Sequence, residues 1–217
     1  VKTVIICAGG PEEELIPLAS SAEGDVRYIG ADRGTVHLLN AGIMPETAIG
    51  DFDSVSADEM AAIERAGCRI ERWPAEKDET DTELALEAAL SLAPDRVIVT
   101  GVTGGRLDHM YSALQLLGRY TLAHRGTEWL LANRQNEMRV LIPGVSRVER
   151  RADFRYLSFF PMTGSVDGLS LTGVKYEVDD EPMQFGDTRF TSNEITDTFC
   201  TITIRTGICL MVRSSDS

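Results

Sequence analysis

"TAIGDFDSVSADEMAAIERAGCRIERW", residues 47–73, decides the fold. It opens on a short β-rich run, "TAIG" (47–50). An acidic loop follows, then the helical pattern "ADEMAAIERAG", then a second β-rich run, "CRIERW" (68–73). Strand, helix and strand in so short a span form a βαβ unit, whose two strands lie parallel in one sheet. The same alternation extends to both sides. "TVIICA" (3–8), "VRYIGA" (26–31) and "RVIVTG" (96–101) read as strands, and "TEWLLA" (127–132) closes the set. Between them "EEELIPLASSA", "TVHLLNAG", "TDTELALEAALSLA" and "LDHMYSALQLLGRY" read as helices. Leu84, Ala88 and Leu92 recur every fourth residue, and Ala85 and Ala89 widen the stripe.

From about Met138 the pattern changes. "MRVLIPG", "FRYLSFFPM", "LSLTGVKYEV", "TRFTSNEI", "TFCTITIR" and "ICLMVRS" are strand signals separated by Gly, Pro, Asp and Asn, with no good helix among them. The expected architecture is α/β: a parallel-sheet N-terminal domain over residues 1–132, then an all-β, sandwich or jelly-roll-like domain over residues 133–217.

Composition narrows the partners. Acidic side chains outnumber basic ones 34 to 21, a net charge of −13. That argues against nucleic acid, whose phosphates need clustered Lys and Arg. A small phosphorylated ligand stays open, because a divalent cation can bridge carboxylates and phosphates. No apolar run approaches the about 20 residues that span a bilayer, so no membrane role is expected. The opening "VKTVIICAGG" reads as a strand, not a signal peptide. Cys7, Cys68, Cys200 and Cys209 show no metal-binding spacing. Three of them lie in apolar runs, which suits buried thiols in a reducing, cytoplasmic setting.

In an open parallel sheet, ligands bind outside the carboxyl ends of the strands. The aspartates fall there. Asp32 follows "VRYIGA", Asp51 and Asp53 follow "TAIG", Asp78 and Asp81 precede a helix, and Asp108 follows "RVIVTG" and a glycine pair. Singly, each has an ordinary explanation. "TDTE" fits a capping box from Thr80 to Glu83, Asp108 suits the first turn of a helix, and Asp32 and Asp53 suit turns. Convergence on one edge is harder to explain. Two unit charges about 4 Å apart repel by roughly 4 kcal/mol at an effective dielectric of 20. A bound cation or a retained proton relieves the repulsion. Oxygen ligands alone suit Mg²⁺ or Ca²⁺. "TGVTGGR" (100–106) adds a glycine-rich loop whose amides, with Arg106, could face an anion, although no Walker P-loop is present. Arg33 and Lys77 flank the acids within reach of phosphates. His109 is a neighbour of this edge, and His37 reads as structural.

"GADRG", "GDFDS", "EKDETDTELAL" and "GGRLDH" occur in the order and approximate spacing of the thiamine pyrophosphokinase family, and "GVKYEV" and "FGDTRFTSNE" continue the match. The chain resembles that family over nearly its whole length. The resemblance implies an α/β nucleotide-binding domain followed by a β-sandwich domain. It also implies a homodimer with active sites between subunits, and transfer of the pyrophosphoryl group of ATP to thiamine. By resemblance, Asp51, Asp53 and Asp81 bind Mg²⁺, with Asp78 nearby, and Asp32 and Asp108 are site acids. Arg33, Lys77, Gly104, Gly105 and Arg106 attend ATP. Tyr176, Ser192 and Asn193 attend thiamine, with Tyr176 standing where some members carry tryptophan. Two rivals stay open at this stage. One is another Mg²⁺-dependent pyrophosphokinase with a pterin-type alcohol acceptor; the other is a non-catalytic nucleotide or thiamine sensor.

Overall fold

The structure, a computed structural model, describes residues 1–18, 24–76 and 78–216. The chain divides into two compact units, Val1–Arg134 and Gln135–Ser217.

The first unit alternates strand and helix: β1 (Lys2–Cys7), β2 (Asp25–Ala31), α1 (Gly34–Asn40), β3 (Thr47–Gly50), α2 (Ala57–Ala66), β4 (Arg69–Arg72), α3 (Asp81–Ser91), β5 (Arg96–Thr100), α4 (Leu107–Ala123) and β6 (Glu128–Ala132). Its strands pair in the order β4-β3-β2-β1-β5-β6, all parallel. β1 is central and buried from Thr3 to Cys7, as a strand covered on both faces must be. The chain steps outward from β1 to β4, then returns to β1's other side with β5. The order therefore reverses between β1 and β5, the place on the carboxyl edge where a ligand crevice is expected.

Local chemistry marks the helix starts. Ser56 and Glu59 form a capping box at α2: Glu59 N–H donates to Ser56 Oγ at 3.3 Å, and Ser56 N–H donates to Glu59 Oε2 at 2.9 Å. At α3, Glu83 N–H donates to Thr80 Oγ1 at 3.2 Å. Both caps satisfy amides that would otherwise lack an intrahelical partner. Apolar side chains fasten the sheet to its cover: Ile5, Cys7, Leu15, Leu18 and Leu38 form one buried cluster, and Val36, Ala48, Phe52 and Ile63 another.

The second unit is antiparallel throughout. β7 (Asn136–Leu141), β13 (Cys209–Ser214) and β9 (Tyr156–Pro161) pair in that order. β11 (Val178–Gln184), β10 (Ser165–Thr172), β12 (Phe199–Ile204) and β8 (Gly144–Glu149) form a separate four-stranded sheet. One apolar core draws on every strand of this unit, from Leu141 through Phe159, Leu171 and Met183 to Met211. The whole is a mixed α/β fold.

Three expected elements differ. The helix expected over "EEELIPLASSA" is a single 3₁₀ turn, Glu12–Glu14, as far as the described residues run; residues 19–23 lie outside them. Leu15 leaves that turn in extended backbone, with its side chain buried beside Ile5 and Cys7. Pro17 disfavours helix at Ile16. The strand expected over "LSLTGVKYEV" breaks after Thr172, where Glu177 Oε1 accepts the Gly173 N–H at 2.7 Å and folds the chain into a turn. "TRFTSNEI" forms turns, with isolated bridges from Asn193 to Leu157 of β9 and from Ile195 to Val174.

Candidate functional site

At the carboxyl edge of the parallel sheet lies an open cleft of about 740 Å³, lined only by residues of the first unit. Five strand ends build it. β1 supplies Gly9, Gly10, Pro11 and Glu12; β2 supplies Asp32 and Arg33; β3 supplies Asp51, Asp53 and Ser54. Thr80, Asp81 and Thr82 come from the start of α3, and Thr103, Gly105 and Arg106 from the loop after β5.

Asp32, Asp51 and Asp53 each offer a carboxylate oxygen, and the three oxygens lie within 4.8 Å of one another. Asp51 Oδ1 also accepts the Asp53 N–H at 2.9 Å, and Asp32 Oδ1 accepts the Phe52 N–H at 2.9 Å. Asp32 is the most perturbed acid of the cleft. Burial raises its carboxyl to about 7, and the nearby charges of Asp81 and Asp51 and a hydrogen bond with Asp81 add to this; the Phe52 amide only partly offsets the rise. A carboxylate so reluctant to ionise, close to three others, is a place prepared for positive charge. The donors are all hard oxygens at an open edge. They fit a divalent cation of the Mg²⁺ type, which keeps part of its shell for water and phosphate.

Two contacts of Gly10 shape the opposite side of the cleft. Gly10 N–H donates to Gly101 O at 2.7 Å, and a Cβ on Gly10 would lie 2.4 Å from that oxygen. Only glycine lets the loops after β1 and β5 approach this closely. His37 is buried, and its Nε2 lies 3.0 Å from Gly10 O, tying the first loop to α1. Arg106 stands at the N-terminus of α4, where exposed amides and the helix dipole favour an anion.

The structure thus brings Asp32, Arg33, Asp51, Asp53, Asp81, Gly105 and Arg106 to one cleft, with His109 on its wall. Arg33 is largely committed: its guanidinium donates to Ser54 O at 3.0 Å and to Glu59 at 3.2 Å, bracing the acidic loop. Asp108 does not line the cleft. It accepts two hydrogen bonds from Arg106, at 3.1 and 2.6 Å, which hold its exposed carboxyl at about 2. Asp78 is exposed and Gly104 packs toward Glu14, both outside the lining, and Lys77 lies outside the described residues. The β1 loop, Thr82 and Ser112 are lining residues that sequence reasoning missed. The "AGGP" pair directly after the first strand was the available signal.

In the second unit, Tyr176 is 59% exposed, with Lys175 Nζ 5.5 Å from its ring centroid. Asn193 is buried and holds Tyr176 by its backbone. Its Oδ1 accepts the Tyr176 N–H at 3.0 Å, and its Nδ2 donates to Tyr176 O at 2.9 Å. Ser192 adopts a positive φ of 60° and donates its N–H to Ser158 Oγ at 2.9 Å. Burial pushes the thiols of Cys7, Cys200 and Cys209 up to about 12, which removes them as nucleophiles near neutral pH. No helix among the described residues is long and apolar enough to cross a membrane.

Comparison with known proteins points in one direction. The family profile "Thiamin pyrophosphokinase, catalytic domain" matches residues 20–130, and "Thiamin pyrophosphokinase, vitamin B1 binding domain" matches residues 146–209. The chain is 38% identical over 216 residues to thiamine pyrophosphokinase of Bacillus subtilis (strain 168), covering 100% of each. The crystal structure of the thiamine pyrophosphokinase from Bacillus subtilis superposes with a TM-score of 0.93 at 37% identity, over 100% of both chains. That from Geobacillus thermodenitrificans superposes with a TM-score of 0.91 at 37% identity, over 99% of this chain and 98% of the other.

Proposed function

The chain belongs to the thiamine pyrophosphokinase family and is an enzyme of that activity; we propose that the pyrophosphoryl group of ATP is transferred at the cleft of the first unit. The hydroxyethyl oxygen of thiamine attacks the β-phosphorus, the bond from that phosphorus to the α,β-bridging oxygen breaks, and AMP leaves with that oxygen. The observation that carries this assignment is the meeting of Asp32, Asp51 and Asp53 at the open end of the sheet.

Asp51, Asp53 and Asp81 would hold Mg²⁺, with Asp32 facing the same point. Bound there, Mg²⁺ supplies neutralisation of the charge that develops on the transferring phosphoryl oxygens. The loops after β1 and β5 present amides to the phosphates, and Arg106 adds a fork of donors that fixes them in line with the acceptor oxygen. Arg106 reaches phosphate by giving up its hydrogen bonds to Asp108. By the family resemblance, Arg33, Lys77, Asp78 and Gly104 are read as attending the nucleotide. Of the two acids that could take the hydroxyl proton, Asp81 and Asp108, Asp81 is the one among the cleft-lining residues.

The second unit is read as the β-sandwich that binds thiamine, the domains being residues 1–132 and 133–217. Tyr176 offers an aromatic face to a cationic ring, and Ser192 contributes a hydroxyl beside it. Asn193 keeps Tyr176 in place and has one amide N–H left over for the ligand. The working unit is a homodimer with sites at the subunit interface, in the cytoplasm.

The direct test mixes protein, ATP, Mg²⁺ and thiamine and separates the products by chromatography. AMP and thiamine diphosphate should appear in equal amounts and cease with EDTA. Formation of ADP in place of AMP would refute transfer of a pyrophosphoryl group. Tyr176→Ala should raise the KM for thiamine by about tenfold and leave that for ATP unchanged. An equal rise in both would remove Tyr176 from the thiamine site.

A further inference from the structure

Phe52 stands between the two acids of the "GDFDS" loop, and its backbone is out of the ordinary. Its φ is +60°, a left-handed conformation that bulky side chains seldom adopt. The ring nevertheless does not sit at the surface. It is 6% exposed and packs against Val36, Ala48 and Ile63, beneath the cleft. The Phe52 N–H donates to Asp32 Oδ1 at 2.9 Å, and its carbonyl accepts the Val55 N–H at 3.2 Å. Both flanks are fitted to the same geometry. Gly50 has a φ of +151°, and a Cβ there would lie 2.1 Å from Asp32 Oδ1. On the other side Asp53 N–H closes onto Asp51 Oδ1.

In an extended segment, alternate residues stand about 6.6 Å apart. A left-handed residue between them tightens the chain and draws residues 51 and 53 together. A loop built on that conformation must be held there, because relaxation to ordinary backbone is downhill. The buried ring is what holds it. We infer that Phe52 is a positioning residue: the burial of its ring keeps a strained turn that sets Asp51 and Asp53 against Asp32 as one oxygen site. This deepens the assignment of the acids to a divalent cation and rests on it.

The test is metal binding to the purified, metal-free protein, with Mn²⁺ as the probe, followed by electron paramagnetic resonance beside the melting temperature. Phe52→Ala should weaken Mn²⁺ binding by about 10–100-fold, as loss of a supporting residue does at metal sites. Phe52→Gly removes still more packing, yet it tolerates positive φ, so it should bind Mn²⁺ about fivefold more tightly than Phe52→Ala. Phe52→Leu and Phe52→Val form a second pair that keeps the core filled. Val is β-branched and resists positive φ, so it should bind more weakly than Leu at a similar melting temperature. Affinity that follows tolerance of positive φ in either folded pair supports the role. Affinity that follows melting temperature, or that is the same in every folded variant, overturns it. Wild-type protein that binds no Mn²⁺, or an Asp51→Asn variant that binds it unchanged, overturns the metal assignment as well.

Discussion

Replacing Asp51 or Asp53 by Asn is expected to lower kcat/KM by about 10²–10³-fold, the cost of losing a preorganised group at the transferring phosphoryl, while the fold is kept. The physical case rests on what these carboxylates do without a ligand. Asp51 is half-buried and Asp53 exposed. Their internal contacts amount to one amide hydrogen bond from Asp53 to Asp51. Among the described residues neither carries an ion pair, and each lies within reach of the other's charge. Asn preserves shape and can still accept the amide bond, but it supplies no net charge to a cation. Loss of activity should therefore come with an unchanged or slightly higher melting temperature in the metal-free protein. Steady-state assays at saturating Mg²⁺, beside calorimetry, check both halves. Activity within threefold of wild type in both variants would refute the metal assignment; loss of activity with loss of folding would make the acids structural.

Much of this site was legible before any coordinates, for a simple reason. Parallel strands end where an apolar run meets Gly or Asp, and Asp32 and Asp51 stand at such ends, so the edge they share follows from the strand order. Side-chain direction is a different matter. Asp108 and Arg106 are two residues apart, and whether they face a ligand or each other depends on the turn into α4. The structure has them paired. The loop after β1 was hidden by "EEEL", whose composition imitates a helix; what stops the helix is Pro17 and the burial of Leu15 beside Ile5 and Cys7 of β1. Likewise nothing local announces that Asn193 will spend its amide on the backbone of Tyr176, because that bond closes a turn spanning residues 176–193. Spacing reveals which residues share an edge, and tertiary contacts decide which of them remain available.

The second large effect concerns pH and the metal together. Asp32 in the folded, metal-free chain ionises only at about 7, chiefly because it is buried, whereas in the unfolded chain it does so at 3.8. The folded state therefore holds a proton that the unfolded state has already released. For a carboxyl raised in this way, the associated stability is fully present below the unfolded value and is lost as pH rises through the folded one. Between about pH 4 and about pH 7 the metal-free protein should lose stability, by about 1–2 kcal/mol once screening by solvent in the open cleft is counted. Asp32→Asn has no proton to lose. It should be level across this window and, above neutrality, melt about 2–6 °C higher than metal-free wild type. Mg²⁺ held by the neighbouring acids should reverse the order, because a cation facing Asp32 favours its ionised form. Its apparent affinity for wild type should rise by up to about tenfold per pH unit below 7 and level off above, and that slope should vanish in Asp32→Asn. Calorimetric melts with and without Mg²⁺ from about pH 5 to about pH 8.5 measure both effects. A metal-free wild type that gains stability on approach to pH 7 while Asp32→Asn stays level would mean that Asp32 ionises readily, and that the cleft is not held short of positive charge.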